Sequence, residues 1–323
     1  MLKKLAVLTS GGDAPGMNAA IRAVVRIAAS RKVEVLGVKR GFRGLLHNEM
    51  VHLGVRDVGN IIQLGGTILR SSRCKEFFER EHRRRAAQVL NEREIGGLII
   101  IGGDGSFRGA KEFSEDWNGR LVGIPGTIDN DIYGSDFTIG FHTAVDTALD
   151  AIDKVRDTAD AHDRYFFIEV MGRHSGWIGL YAGIAGGAQE TLIPEETQTV
   201  EEAYQRLLEG KKRGRKSSIM VMSEGCSGDG AVAIAKRFEE QTGNDCRAVV
   251  LGHIQRGGRP VASDRVLATQ LGAYATELII DGSSGIFVGN HKGALCHYPF
   301  EHSWEKKKPV DEYLLKLQEA LAG

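Results

Sequence analysis

The chain has 323 residues, of which 42% are hydrophobic and 26% are charged, as in ordinary globular proteins. Basic and acidic residues number 42 each, so no global field favours nucleic acid or an acidic membrane as a partner. No apolar stretch reaches the ~20 residues that a membrane span needs. The four scattered cysteines form no C-x-x-C pair, which argues against a disulfide framework or a zinc site and predicts a cytoplasmic location.

Short, continuous apolar runs recur along the chain, and each ends in a polar, glycine-rich turn. Continuous hydrophobicity at this length predicts parallel strands that are buried on both faces. The predicted strands are 5–8, 33–38, 98–101, 121–124, 165–170, 219–222, 248–251 and 286–289. Helical patterns lie between them at 14–30, 141–161, 200–209, 230–242 and 260–281. This alternation predicts a doubly wound α/β fold, in which ligands bind beyond the carboxyl ends of the strands.

The turn after the first strand, 9–18, reads Thr-Ser-Gly-Gly-Asp-Ala-Pro-Gly-Met-Asn and leads into a helix, with Pro15 near its start. Two glycines let the backbone approach a ligand, and a helix N-terminus offers free N–H groups to phosphate. A plain βα turn is the alternative. The strand at 98–101 ends in a similar Gly-Gly turn, which favours ligand binding.

That second turn, 102–106, reads Gly-Gly-Asp-Gly-Ser, so Asp104 is its main side chain. Mg²⁺ usually binds few protein oxygens and takes its other ligands from waters and substrate phosphates. A lone carboxylate beside free backbone N–H groups suits such a site. Asp104 as a cap of the next helix is the alternative.

The third turn, 125–131, reads Pro-Gly-Thr-Ile-Asp-Asn-Asp. On an extended segment Asp129 and Asp131 point the same way. One of them can take a proton from an attacking hydroxyl while the other organises metal or water. A plain loop rich in Asp and Asn is the alternative.

Arginines at strand ends suit bidentate phosphate binding, although a solvated arginine is the common alternative. The candidates are Arg73, Arg164, Arg173, Arg247 and Arg256. Neither a complete G-x-x-x-x-G-K-[ST] nor a complete G-x-G-x-x-G motif occurs in the sequence, so the phosphate site is of another type. The basic runs at 83–85 and 211–216 are interpreted as solvated helix faces or loops.

Together these segments resemble the 6-phosphofructokinases of the bacterial type over nearly the whole chain. The matching segments are Leu-Thr-Ser-Gly-Gly-Asp-Ala-Pro-Gly-Met-Asn-Ala-Ala-Ile-Arg at 8–22, the turns 102–106 and 125–131, Glu-Val-Met-Gly-Arg at 169–173, and Gly-His-Ile-Gln-Arg-Gly-Gly at 252–258. The resemblance implies transfer of the γ-phosphoryl of ATP to the 1-hydroxyl of fructose 6-phosphate, the committed step of glycolysis. It also implies two similar doubly wound, Rossmann-like, three-layer domains that are discontinuous in sequence. They are an ATP domain at 1–140 plus 254–304 and a fructose 6-phosphate and effector domain at 141–253 plus 305–323.

Residue roles carry over by position. Asp129 is similar to the family's general base. Asp104 is similar to its Mg²⁺ ligand, and Asp131 to a residue that helps to organise the metal. Arg73 and Arg173 are similar to groups that offset the negative charge on the transferred phosphoryl group. The ATP site matches Gly12, Arg73, Cys74, Gly103, Asp104, Gly105 and Ser106. The sugar-phosphate site matches Thr127, Ile128, Met171, Gly172, Arg173, Glu224, His253 and Arg256. Arg164 and Arg247 match arginines that reach the 6-phosphate from a neighbouring subunit, which implies a homotetramer.

Two glycines bear on the phosphoryl donor. Pyrophosphate users of the family carry Asp and Lys at the positions of Gly105 and Gly126. A carboxylate at 105 crowds and repels the α-phosphate of ATP, so we expect an ATP user. A pyrophosphate-dependent phosphofructokinase is the alternative. Two other candidates are an NAD or lipid kinase that shares only the Gly-Gly-Asp-Gly turn, and a non-catalytic nucleotide sensor.

A regulatory site for ADP or phosphoenolpyruvate is also implied. It matches Arg22, Arg26, Arg156, Gln189, Arg213 and Arg215. The sequence departs from the family pattern at Val55, Asn60 and Gln189, where relatives carry Arg, Asp and a Glu tied to the effector's Mg²⁺. An amide is a poor Mg²⁺ ligand. We therefore expect weak or absent activation by MgADP.

Overall fold

The computed structural model describes residues 2–321 and divides the chain into two compact units. The first unit consists of 2–128, Ile132–His142 and Arg256–Lys308, and the second of Asp129–Asp131, Thr143–Gln255 and 309–321. The domain boundaries expected from the sequence differ from these by a few residues each, and Asp129–Asp131 group with the second unit. None of the helices within 2–321 is long and apolar enough to cross a membrane.

The first unit is built on a seven-stranded sheet. Its elements, in chain order, are β1 (Lys4–Thr9), α1 (Met17–Ser30), β2 (Glu34–Val38), α2 (Gly41–Leu46), β3 (Met50–His52), a 3₁₀ turn (Glu76–Phe78), α3 (Arg80–Glu92), β4 (Gly97–Gly102), α4 (Asp104–Phe113), β5 (Arg120–Pro125) and the start of α5 (Phe141–His162). Two later strands, β10 (Ile286–His291) and β11 (Ala294–Pro299), complete the sheet, whose order is β11-β10-β5-β4-β1-β2-β3.

The second unit holds a four-stranded parallel sheet of order β7-β8-β6-β9. After α5 come β6 (Tyr165–Val170), α6 (Trp177–Ala185), β7 (Glu190–Leu192), α7 (Val200–Lys212), β8 (Ser218–Ser223), α8 (Ala231–Thr242), β9 (Cys246–Val250) and a 3₁₀ turn (Gly252–Arg256). The chain then returns to the first unit with α9 (Ala262–Asp281), β10 (Ile286–His291), β11 (Ala294–Pro299) and α10 (His302–Glu305), and ends with α11 (Glu312–Leu321) in the second.

Each sheet is covered on both faces. In the first unit, alternate strand residues pack with α2, α3 and α4 around Phe107 and Phe113, whereas a Cβ on Gly97 would meet Ile279 of α9 on the other face. In the second unit, Phe167 packs with α7 and α8, and Gly179 of α6 lies on the opposite face. All eight predicted strands are present and pair in parallel, which confirms the predicted α/β fold class.

One local expectation needs correction. Helix α1 begins at Met17, with Gly16 as its N-cap at φ 111°, so Pro15 precedes the helix instead of occupying its first turn. Only glycine adopts this φ without strain, and a Cβ on Gly16 would lie 2.7 Å from Ile139.

Candidate active site

Strand register brings the first two predicted turns and the start of the third, 125–128, together in the first unit. β1, β4 and β5 are adjacent and parallel, with Thr9 opposite Ile101 and Gly102 opposite Pro125. Their carboxyl ends therefore meet at one edge of the sheet, where doubly wound folds bind ligands.

Backbone at this edge is closely packed. A Cβ on Gly102 would lie 2.7 Å from the carbonyl oxygen of Ser10, and a Cβ on Gly11 would lie 3.5 Å from Oγ of Ser106. The first and second turns thus touch through glycine backbone and one hydroxyl. Side chains at 102 would separate them, which explains the glycine there.

Asp104 is the first residue of α4, and Gly103 is the N-cap without any side-chain capping bond. The alternative in which Asp104 caps the helix is therefore wrong. A Cβ on Gly103 would lie 3.7 Å from Cβ of Thr127, so the second turn also adjoins the third. Within residues 2–321 no group of three or more His, Cys, Asp or Glu could hold a metal. A single carboxylate fits a Mg²⁺ that takes its other ligands from phosphates and water.

The two glycines that bear on the donor have different surroundings. Gly105 is exposed, and a Cβ placed on it meets nothing within 4 Å. A Cβ on Gly126 would lie 2.9 Å from Cγ2 of Ile101 and 3.1 Å from Cε of Met17, both fully buried. Open space adjoins the second turn, whereas position 126 is filled by the core.

Arg73 lies on a long irregular segment between β3 and the 3₁₀ turn, which we call the 54–75 loop. Asn18 of α1, only 1% exposed, anchors it. Its Nδ2 donates to the carbonyls of Leu64 and Gly65 at 3.1 Å each, and its Oδ1 accepts from the N–H of Ile68 at 2.8 Å. Asn18 lies within the matching segment 8–22, but the sequence does not predict this anchoring role.

The same loop is tied to the first turn. The hydroxyl of Thr9 donates to the carbonyl of Arg70 at 2.8 Å, and that of Ser71 donates to the carbonyl of Gly11 at 2.6 Å. Because Arg73 follows Ser71 by two residues, the loop carries this arginine past the first turn of the predicted nucleotide site.

Two further predicted residues belong to this unit. The guanidinium of Arg256 lies against the first turn, because a Cβ on Gly12 would be 2.6 Å from Nη1 of Arg256. The same Nη1 donates to the carbonyl of Asp13 at 3.3 Å. Cys74 packs against the unit's core, and burial raises the pKa of its thiol. Arg256 thus adjoins residues of the predicted ATP site, although the resemblance places it in the sugar-phosphate site.

The segment after Thr127 is a turn and not an extended strand, so the expectation that Asp129 and Asp131 point the same way on extended backbone is wrong. Asn130 between them adopts φ 52°, in the left-handed region. Asp129 is 3% exposed, Asn130 is fully buried, and Asp131 is half-buried. Ile128, the last residue of this segment in the first unit, is also fully buried.

The turn after β6 holds three predicted substrate residues in the second unit. Gly172 and Arg173 both have positive φ, 149° and 57°. Glu224 braces this turn, because its Oε1 accepts from the N–H of Gly172 at 3.3 Å and of Arg173 at 2.9 Å. The N–H of Met171 donates to Oε1 of Gln255 at 2.8 Å. Gln255 lies within the matching segment 252–258 but was not predicted as a site residue. The nearby predicted residue His253 is exposed.

Arg164 and Arg247, predicted to serve a neighbouring subunit, converge on one carboxylate. Arg164 Nε bonds Oδ2 of Asp245, and Arg247 Nη1 lies 2.8 Å from Oδ1. Arg247 also pairs with Glu239 at 2.8 Å. These side chains are a third to a half exposed, so the pairs contribute little to stability but bring the arginines together.

The predicted effector residues fall into two groups. Arg22 and Arg26 lie on α1 of the first unit, and Arg156, Gln189, Arg213 and Arg215 belong to the second. Arg156 and Gln189 meet at one turn, where Arg156 Nη2 and Gln189 Nε2 donate to the carbonyl of Gly187 at 3.0 and 3.1 Å. Oε1 of Gln189 accepts from the N–H of Ile219 at 2.8 Å. Both ends of this amide are therefore engaged with backbone.

A model of the phosphofructokinase family matches residues 4–279. The chain belongs to this family. It is 51% identical to the ATP-dependent 6-phosphofructokinase 1 of Thermus thermophilus over 321 residues, which cover 99% of this chain and 100% of that protein. It is 50% identical, with the same coverage, to the ATP-dependent 6-phosphofructokinase of Bacillus pumilus. The predicted family is thereby confirmed.

Solved phosphofructokinases share the fold. The structure of the Saccharomyces cerevisiae phosphofructokinase matches with a TM-score of 0.90 and 34% identity, covering 99% of this chain and 48% of the yeast chain. The chain thus spans about half the length of that relative. A pyrophosphate-dependent phosphofructokinase from Nitrosospira multiformis matches with a TM-score of 0.88 over 100% of this chain and 92% of its own. At 20% identity this second match shows the fold alone.

Proposed function

We propose that the protein transfers the γ-phosphoryl of ATP to the 1-hydroxyl of fructose 6-phosphate, giving fructose 1,6-bisphosphate and ADP in glycolysis. The observation that carries this function is the convergence of three glycine-rich strand-end turns beside the open space at Gly105. Relatives about 50% identical over their full length are named ATP-dependent 6-phosphofructokinases, which favours ATP over pyrophosphate.

On the donor side, the first two turns offer backbone N–H groups to the phosphates, as helix N-termini and glycine-rich turns do. In this proposal the first unit is the ATP domain, and its binding residues are Gly12, Arg73, Cys74, Gly103, Asp104, Gly105 and Ser106. Asp104 would hold Mg²⁺, with Asp131 helping to organise it. When bound at Asp104, Mg²⁺ would supply positive charge that offsets the negative charge of the phosphates.

On the acceptor side, Asp129 takes the proton of the 1-hydroxyl as that oxygen attacks phosphorus. Arg73 and Arg173 stabilise the charge that spreads over the phosphoryl oxygens in the transition state. The second unit is then the sugar-phosphate and effector domain. The remaining substrate contacts proposed are Thr127, Ile128, Arg164, Met171, Gly172, Glu224, Arg247, His253 and Arg256.

We also propose a homotetramer whose active sites are shared between subunits. Strand β9 carries Arg247 and is an edge strand of its sheet, and Val250 at its end is 52% exposed. Exposed apolar edges are templates for pairing with another chain. A second copy of the chain would cover this edge and receive Arg164 and Arg247. The four cysteines are free thiols, which supports a cytoplasmic location.

A steady-state assay with fructose 6-phosphate and either ATP or pyrophosphate tests the function. We expect turnover with ATP, and pyrophosphate turnover alone would establish the alternative donor. Asp129→Asn should lower kcat about 10²–10⁴-fold, the range of a lost general base. Asp146→Asn, the same change at an exposed position of α5, is the control. Full activity in Asp129→Asn would refute Asp129 as the general base, and absence of turnover with either donor would favour the non-catalytic sensor.

A further inference from the structure

Ser175 is a buried residue that bonds to both of the strained turns in the second unit. It is 5% exposed and lies just before α6. Its N–H donates to the carbonyl of Gly172 at 2.9 Å, and its hydroxyl donates to the carbonyl of Asp129 at 2.7 Å. One serine therefore links the turn of the proposed base to the turn of a proposed phosphoryl-binding arginine.

The acceptor of the hydroxyl matters because the carbonyl of Asp129 shares a peptide plane with the N–H of Asn130. Asn130 has φ 52°, a conformation that residues other than glycine adopt infrequently. Any relaxation of this φ turns the plane and re-aims the backbone that carries the Asp129 carboxylate. A hydrogen bond in this buried setting is little weakened by water, so it resists that rotation.

The other end of the link is itself braced. Glu224 accepts from two successive N–H groups of the 171–173 turn, and a Cβ on Gly172 would lie 2.2 Å from the carbonyl oxygen of Ser175. The backbone of Ser175 is thus held against a turn with little freedom. Its hydroxyl can transmit that rigidity to Asp129.

We propose that Ser175 is a positioning residue that fixes the orientation of Asp129 through the Asp129 carbonyl. The inference rests on the proposed function, in which Asp129 is the general base. Ser175 itself need not touch substrate, and it takes no direct part in the proposed phosphoryl transfer.

The test is Ser175→Ala, with Ser303→Ala as a matched control. Ser303 is also a serine with 5% exposure, and its hydroxyl donates to the carbonyl of Phe300 at 2.9 Å, outside both turns. Since misplacement by about 1 Å can lower a rate 10²-fold, we expect kcat of Ser175→Ala to fall roughly 10- to 100-fold. KM for both substrates should stay within about twofold, and Ser303→Ala should retain the wild-type kcat.

A double-mutant cycle separates positioning from general weakening of the fold. If Ser175 acts through the Asp129 carboxylate, Ser175→Ala should change the residual rate of Asp129→Asn less than twofold. Two results would overturn this inference and leave the proposed function intact. In the first, Ser175→Ala lowers kcat by the same factor in the wild-type protein and in Asp129→Asn. In the second, Ser175→Ala keeps the wild-type kcat although Asp129→Asn is impaired. Absence of ATP-dependent turnover in the wild-type protein overturns both.

Discussion

Gly105 offers a test in which stability and activity should move in opposite directions. It is the second residue of α4, it is exposed, and its Cβ position is empty. Replacing glycine by alanine within a helix stabilises the folded state by about 0.5–1 kcal/mol. Gly105→Ala should therefore raise the free energy of unfolding by up to that amount. If the empty space receives the phosphates of ATP, the added methyl should raise KM for ATP.

A carboxylate at the same position should act far more strongly. Two like charges about 4 Å apart near a protein surface repel by roughly 4 kcal/mol, which corresponds to about 10³-fold in binding. Gly105→Asp should therefore abolish measurable use of ATP under ordinary assay conditions. Because the space around the position is open, the variant should still fold.

Gly109→Ala is the control for both variants. Gly109 lies in the same helix, and its Cβ would meet Phe42 at an ordinary 3.5 Å, so it should gain similar stability without affecting ATP. Urea unfolding followed by tryptophan fluorescence measures stability, and steady-state kinetics at saturating fructose 6-phosphate measures KM. An unchanged KM for ATP in Gly105→Asp would refute the assignment of this space to the donor.

Three further predictions concern the 54–75 loop, an ion pair of the second unit and the response to MgADP. Asn18→Ala removes three hydrogen bonds to the 54–75 loop and should lower the free energy of unfolding in urea by about 3 kcal/mol. Burial raises the pKa of Glu190, so the contribution of this residue to stability falls as pH rises above about 4.3, the ordinary pKa of a glutamate. Arg206→Gln removes the guanidinium that pairs with the ionised carboxylate, so it should destabilise the protein more at pH 8 than at pH 5 in urea titrations. The wild-type protein should show little activation by MgADP at subsaturating fructose 6-phosphate, and Gln189→Glu should increase it by supplying a carboxylate for the metal.

Most of the strands that the sequence predicted are buried on both faces, although the edge strand β9 is partly exposed. Three short or exposed strands were missed: β3, β7 and β11. β11 alternates between exposed and half-buried residues because it pairs antiparallel with β10 at the outer edge of the sheet. A search for continuous apolar runs cannot detect such a strand. The burial pattern of β11 depends on its position at the edge of the sheet, and the local sequence does not determine that position.

The interpretation of 83–85 as a solvated helix face is confirmed for Arg84 and Arg85, which are exposed, but is wrong for Arg83. Arg83 is 7% exposed and pairs with Glu112 and Asp116 at 2.9 and 3.0 Å. Asp116 also binds Arg80, and these arginines hold the pKa of its carboxyl below the usual value even though burial opposes this. Since the acidic partners lie about thirty positions away in sequence, only the fold shows that the charge is compensated.

Many of the predicted active-site residues lie in turns at the ends of strands, where the sequence marks them by glycine and by abrupt polarity, whereas Arg73 lies on the 54–75 loop. The groups that orient them, Ser175, Asn18 and Gln255, carry no such mark because they act on backbone carbonyls and N–H groups. A serine donating to a carbonyl looks like any other serine in a sequence. Its importance depends on which carbonyl it meets, and that is a property of the tertiary structure.

Backbone strain gives a reason for the contacts that Ser175 and Glu224 make at two turns of the second unit. Asn130 and Arg173 both occupy the left-handed region, and such conformations cost about 1–3 kcal/mol when they are sparsely populated. An unsupported turn would relax and carry its functional side chain away from substrate. Ser175 donates to the peptide between Asp129 and Asn130, and Glu224 accepts from the N–H of Arg173. The proposed base and the proposed phosphoryl-binding arginine thus each sit on, or next to, a strained residue that a polar side chain holds in place. Fixed orientation is what an electrostatically driven phosphoryl transfer requires of its groups.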